Sequence, residues 1–175
     1  TWATVLKRDN ECHVVDEILG SKNGTDVLEH GEYARSRIAL LCGTSEREVM
    51  QAKVKVVCDA AGQQRSSNSN LTAVQILRSL GFDVRFPSAN PSIESSVQSV
   101  QLALAKGRIK IDTKKCRYIT RCLEQQGYDK TTGKPEKLKG EADLSHGADL
   151  LRYGVHMYWP GFSTRANEPV PKVVP

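Results

Sequence analysis

The sequence predicts an α/β layered domain whose later strands run largely parallel. Three observations predict it. Short apolar runs alternate with longer segments of helical spacing through most of the chain. Gly, Asp and Asn-Pro punctuate the boundaries between them. An opening pair of alternating segments reads as a hairpin ahead of that alternation. The expected order is hairpin, helix, strand, helix, strand, helix, strand, helix, helix, which is the pattern of a layered sheet with crossover helices.

Residues 2–7 alternate as a strand does, Asp9-Asn10 is a turn pair, and residues 12–18 make the second arm. Residues 20–24 form a loop. Asp26 with Glu29 spells a capping box for a helix to about Leu41, closed by Gly43. Residues 53–58 are β-branched and apolar, as in a buried strand, and residues 60–70 are a polar loop. Thr72 with Gln75 caps a helix through Leu80 that Gly81 stops, and residues 82–86 are the next strand. Asn90-Pro91 is a cap and first-turn pair for a helix reaching Lys106. Residues 108–112 make a strand and residues 114–126 a helix. Residues 127–144 are a charged loop with a small hairpin around Thr132-Gly133. The final helix covers about residues 145–158, and Pro160 ends it.

At 175 residues the chain suits one domain with a real core, over residues 1–159. Residues 160–175 hold four of the seven prolines and read as an extended tail. The chain is 39% hydrophobic and 26% charged, which excludes a disordered or membrane class. No apolar run approaches the roughly 20 residues that a membrane helix needs. Residues 1–8 alternate like a strand, unlike a secretory leader, and Thr1 has no Met before it, so the sequence reads as a fragment. A net charge of +5 permits a polyanionic partner. The five cysteines lack zinc spacing and fit reduced thiols in a cytosol.

The chemistry concentrates in two places. His146 and Asp149 lie three residues apart at the start of an apolar helix, so they share a face. Asp59 ends the apolar run Val54-Lys55-Val56-Val57-Cys58. Acids from distant segments that meet at a sheet end are the usual way to hold a hard divalent cation. With a basic chain around them, they point to metal-dependent cleavage of nucleic acid. Each residue also has a plainer role. Asp59 can cap a turn, and Asp149 can be an early-turn helix acid favoured by the macrodipole. His146 can ligate Mn²⁺, orient a water, shuttle a proton, or simply hydrogen-bond at the helix start. Asp143 is a further candidate ligand, with capping or a salt bridge as its alternative, and the same alternative applies to Asp112. Leu150, Leu151, Tyr153, Val155 and Met157 are expected to pack the last helix on the sheet. Arg152 is either structural or reaches a phosphate.

Several stretches resemble the nuclease domain of the large terminase subunit of tailed double-stranded DNA phages, of the headful-packaging kind. Val56-Val57-Cys58-Asp59-Ala60-Ala61-Gly62-Gln63-Gln64-Arg65 is similar to its second acidic motif. Tyr128-Asp129-Lys130-Thr131-Thr132-Gly133-Lys134-Pro135, followed by His146-Gly147-Ala148-Asp149-Leu150-Leu151-Arg152-Tyr153, resembles its closing motif. Pro91-Ser92-Ile93-Glu94, Ile109-Lys110-Ile111-Asp112 with Lys115-Cys116, and the opening residues 1–18 also fit. The resemblance implies an RNase H-like fold, a mixed central β-sheet flanked by helices. It implies two Mg²⁺ or Mn²⁺ ions and endonuclease action on concatemeric viral DNA during head filling. Asp59 and Asp149 then correspond to metal ligands, with His146 beside them. The family's first catalytic Asp lies on a central strand that would precede Thr1, so this sequence by itself is expected to be a crippled catalyst. Asp9 falls in a turn and Asp16 on the far part of the hairpin, and neither is placed in the site. The resemblance further implies an ATPase domain, a small terminase subunit and a portal as partners, in the host cytoplasm and without a membrane. The chain contains no G-x-x-x-x-G-K-[ST] of its own.

Cations are numerous between residues 114 and 139. Helical spacing places Lys114, Arg117 and Arg121 on one face. With Lys115, Lys134 and Arg65 they are the candidates for contact with the DNA backbone; a solvated helix face is the alternative. Two other readings compete: a DNA-binding or motor-docking module with an incomplete nuclease centre, and another RNase H-like nuclease of the resolvase or integrase type.

Overall fold

Alternating burial along residues 11–18, with Cys12, Val14, Asp16 and Ile18 inward, is the signature of a strand with one covered face. That strand is the second of a series seen in a computed structural model, which describes residues 2–8, 11–20, 26–64, 70–133 and 145–158. In chain order the elements are β1 (Trp2–Arg8), β2 (Glu11–Ile18), α1 (Val27–Cys42), α2 (Glu46–Gln51), β3 (Lys55–Val57), a 3-10 turn (Ala60–Gln63), α3 (Ala73–Ser79), β4 (Asp83–Arg85), α4 (Ile93–Ala105), β5 (Ile109–Ile111), α5 (Arg117–Glu124) and α6 (Ser145–Tyr158). The fold is mixed α/β, as expected. Its contacts divide the chain into two compact units. Described residues up to Leu19 and from Pro91 onward form the first, and those from Leu19's successor through Asn90 form the second.

In the first unit β1 and β2 pair antiparallel, from Arg8↔Glu11 to Trp2↔Ile18, with a bulge where the register shifts between Thr4 and Val5. β5 adds to β2 in parallel, Cys12↔Ile109 through Val14↔Ile111, giving the order β1-β2-β5. The core gathers Cys12 and Val14 with Val100 and Ala103 of α4, Ile109 of β5, Cys116, Ile119 of α5, and Leu151 and Val155 of α6. Removing each such side chain from water contributes about 1.5–3 kcal/mol for the larger ones. α5 has no cap of its own, since Cys116 offers no side-chain hydrogen bond. Instead the Glu17 carboxylate, from the end of β2, accepts from the Tyr118 N–H at 2.8 Å and the Ile119 N–H at 2.9 Å. α5 and α6 approach closely because position 147 is glycine: a Cβ there would lie 2.7 Å from Cys122 Sγ.

In the second unit β3 and β4 pair in parallel, Lys55↔Asp83 through Val57↔Arg85. Val49, Val74, Leu77, Leu80, Phe82 and Val84 are buried there. Thr72 and Gln75 make the expected capping box at the start of α3. Gly43 ends α1 in the left-handed conformation, as expected.

Other expectations need correction. At α1 the Asp26 carboxylate accepts from the Leu28 N–H, so a one-way cap replaces the reciprocal box with Glu29. α2 was not anticipated, although Ser45 and Glu48 form a complete capping box at its start. The strand expected over residues 53–58 is shorter, because Lys53 turns the chain with a positive φ of 48°. α4 is capped by Ser92, whose hydroxyl accepts from the Ser95 N–H, and not by Asn90. Asn90 instead accepts from the Ala60 N–H through Oδ1 at 2.8 Å. α5 begins at Arg117 and not at Lys114, because Asp112 Oδ1 accepts from the N–H groups of Lys114 and Lys115 and holds them in a turn. The Thr132-Gly133 turn is present, closed by Asp129 Oδ1 accepting from Thr131 and Thr132 N–H. The arm expected beyond it, the Asp9-Asn10 turn and the proline-rich tail lie outside the described residues.

Candidate functional site

Asp59 stands where sequence reading put it, at the carboxyl end of a parallel strand. The Cys58 N–H still donates to the Arg85 carbonyl at 2.9 Å, so the pairing of β3 with β4 extends to the residue before it. Asp59 then leaves the strand with ψ near 170° and caps the 3-10 turn, Oδ1 accepting from the Gly62 N–H at 3.1 Å. Turn capping was the plainer role foreseen for this acid, and the geometry contains it. Oδ2 has no hydrogen-bond partner among the described residues. Burial, and then the neighbouring Asp59 charge, push the Cys58 thiol up to about 11. Burial similarly raises Cys12 and Cys116 to about 11, with Glu17, Asp112 and Asp16 adding to the effect at Cys116. These three thiols therefore stay protonated at neutral pH and are poor nucleophiles or soft metal ligands.

α6 spans the residues expected for it, with His146 in its first turn and Asp149 just beyond that turn. His146 is exposed and Asp149 half-buried. Asp149 pairs through Oδ1 with Nη2 of Arg152, one turn on, and the two side chains are 15% and 7% exposed. The inward face of α6 differs from expectation. Leu151 and Val155 are buried, but so are Ala148, Arg152 and His156, while Leu150, Tyr153 and Met157 are only half-buried. Asp149, Arg152 and His156 follow one another at helical spacing, so a polar row runs along the edge of an apolar face. Burial pulls Arg152 below the ordinary arginine value, though a guanidinium does not lose its proton in a protein. The i,i+3 spacing of Asp149 and Arg152 was legible in the sequence; that both would be sheltered was not.

The remaining expected residues fall as follows. Asp143, Arg65 and Lys134 lie outside the described residues. Lys114 and Lys115 are exposed in the turn that Asp112 closes, so Lys114 does not share a helical face with the arginines. Arg117 and Arg121 are exposed on α5, one turn apart. Asp112 takes the capping role foreseen for it. Asp16 is buried on the covered face of β2, and Glu17 beside it serves α5; neither role was anticipated. His146 and Asp149 belong to the first unit and Asp59 to the second.

By donor chemistry each unit holds groups of a kind that bind hard divalent cations, His146 and Asp149 in the first and Asp59 in the second. Among the described residues no three His, Cys, Asp or Glu side chains form one metal-holding group. Among them, too, no helix is long and apolar enough to cross a membrane. No family model, no curated protein and no solved structure matches the chain.

Proposed function

We propose that the chain is the RNase H-like nuclease domain of a viral DNA-packaging terminase, which hydrolyses concatemeric double-stranded DNA with two Mg²⁺ or Mn²⁺ ions. The observation that carries the proposal is the N-terminal part of α6. It presents His146 and Asp149 together, with the carboxylate sheltered to 15% exposure. Asp59, at the end of β3, is the second acid. When bound, such ions supply a hydroxide at neutral pH and neutralise the leaving oxygen.

The chain's own residues divide the remaining work. Asp59 Oδ2 and Asp149 hold cations. His146, exposed beside Asp149, ligates, orients a water or moves a proton. Arg117, Arg121, Lys114 and Lys115 contact phosphates without reading bases, which suits cutting wherever head filling stops. The domain works in the host cytoplasm, transiently at the procapsid portal, alongside an ATPase domain and a small terminase subunit.

Plasmid nicking with Mn²⁺ tests the proposal, using this chain and one extended upstream by its leading strand. Cutting is expected from the extended chain and lost in Asp59→Asn and Asp149→Asn. Asparagine at 59 can keep the cap on Gly62, so lost cutting would not reflect unfolding. Mn²⁺ is also expected to raise the melting temperature of the parent and not of Asp149→Asn. Metal-independent DNA binding without cutting by either chain would refute nuclease action and leave a DNA-binding module.

A further inference from the structure

We propose that the outer face and open edge of β4, with Lys55 of β3, form a phosphate-binding surface for the backbone of a DNA duplex; the inference rests on DNA being the substrate, as proposed above. The parallel register sets Lys55 beside Asp83 and Val57 beside Arg85. Side chains alternate along a strand, so these four share the face opposite buried Val84. Arg85 Nε and Nη2 donate to Asp83 Oδ1 and Oδ2, both at 3.0 Å. The Asp83 N–H and the Arg85 carbonyl bond toward β3, so the Val84 carbonyl points to the open edge. There Arg78 Nη2, from α3, donates to it at 3.4 Å, and the guanidinium stands 6.0 Å from the centre of the Phe86 ring. Arg85 first, then Lys55 and Arg78, hold the Asp83 carboxyl below the usual carboxylate range, so three cations surround one acid.

Positive charge is concentrated at this place. Outside the patch, the described residues of the same unit carry six acids and four cations. Lys55 and Arg78 are exposed, and Arg85 is half-buried. Both guanidiniums are already held, one forked to a carboxylate and one stacked on a ring. They therefore have little side-chain freedom left to lose when a phosphate arrives. The partner is a duplex and not a single strand, because the outer face of the pair offers no aromatic ring on which a base could stack. Phe86 is buried on the opposite side. A plainer role for Arg78 is to blunt the β4 edge, which would carry no salt dependence of DNA binding. The patch and Asp59 belong to the same unit, so the surface gives that acid a backbone contact of its own.

The test reads binding of a short labelled DNA duplex by fluorescence anisotropy across a salt series, in EDTA so that nothing is cut. Lys55→Gln and Arg78→Gln are each expected to weaken binding about five- to tenfold at roughly 0.1 M salt. Each should also lower the slope of log affinity against log salt by about 0.9. Arg78→Lys, which keeps the charge, should keep the parental slope. Asp83→Asn, which removes the one acid, should bind more tightly. Arg47→Gln, the same charge loss from an exposed residue of α2, should change neither affinity nor slope. Melting curves report whether each variant is folded; if Arg78→Gln is not, Lys55→Gln decides. Parental slopes in folded Lys55→Gln and Arg78→Gln overturn the proposal, as does absence of duplex binding by the parent. Displacement of the duplex by poly-glutamate at equal charge overturns the choice of nucleic acid and assigns the surface to an acidic polypeptide. Binding with the expected slopes by the upstream-extended chain, without cutting once Mn²⁺ is supplied, refutes the nuclease reading and leaves this surface standing.

Discussion

Gly147→Ala puts the α5–α6 contact to a quantitative test. A Cβ at 147 would stand 2.7 Å from Cys122 Sγ, 3.0 Å from Tyr118 Cε1 and 3.2 Å from Cys122 Cβ. The first distance cannot persist, and Cys122 is fully buried, with little room to turn. Two effects oppose each other. Alanine in place of glycine favours the helix by about 0.5–1 kcal/mol, toward the low end near a helix start. Forcing a methyl into a filled contact costs about 1–3 kcal/mol. Overpacking wins, with a net loss of roughly 1–2 kcal/mol, or about 2–8 °C in melting temperature at roughly 2–4 °C per kcal/mol. Urea unfolding followed by circular dichroism measures it. A Cys122→Ala background removes the colliding sulfur, and Gly147→Ala should there be neutral or stabilising. A Gly147→Ala protein as stable as its parent in the Cys122 background would mean that α6 does not approach α5 at this point.

Two further outcomes are expected. Glu17→Ala leaves the N–H groups of Tyr118 and Ile119 without their carboxylate and should destabilise by about 1.5–3 kcal/mol in urea unfolding; a change under about 0.5 kcal/mol would refute the remote cap. Glu48 is held down to about 2, first by the Thr44 hydroxyl and then by the Ser45 N–H and hydroxyl, against an ordinary 4.5. Its folded value is the lower one, so its stabilisation is present above about pH 4.5 and lost as pH falls toward 2. The stability difference between parent and Glu48→Gln should shrink across that window, and a difference independent of pH would contradict the capping geometry.

Where a segment carried its end signals its bounds could be read from sequence, although the face that α6 turns inward is not the one expected. α6 begins and ends where its residues predicted, and the Thr72–Gln75 box opened α3 as expected. α2 was equally legible through Ser45 and Glu48, but its six residues are too few to show an apolar period. Asn90-Pro91 misled because a nearby serine capped α4, freeing the Asn90 amide for Ala60. The helix at Arg117 was placed too early because Asp112, itself a strand-end acid, bends the next residues into a turn. Of the candidate site, the residue types and the i,i+3 spacing could be read directly. The depth of Arg152 could not, since it depends on what packs over α6. The Glu17 cap was out of reach for another reason: it joins residues about a hundred positions apart, and no local pattern announces such a bond.

The parallel seam between β2 and β5 has a consequence for biosynthesis. The hairpin emerges from the ribosome first, yet its neighbour strand starts at Ile109, about 90 residues after Ile18. At the usual pace of translation that is a wait of roughly 5–20 seconds. During it the apolar side of β2, with Cys12, Val14 and Ile18, has no α4, α5 or α6 to shelter it. The intervening stretch, by contrast, holds all its own strand partners and can condense as it is made. The pair β3–β4 and the helices around it can thus condense before β2 meets its parallel neighbour β5.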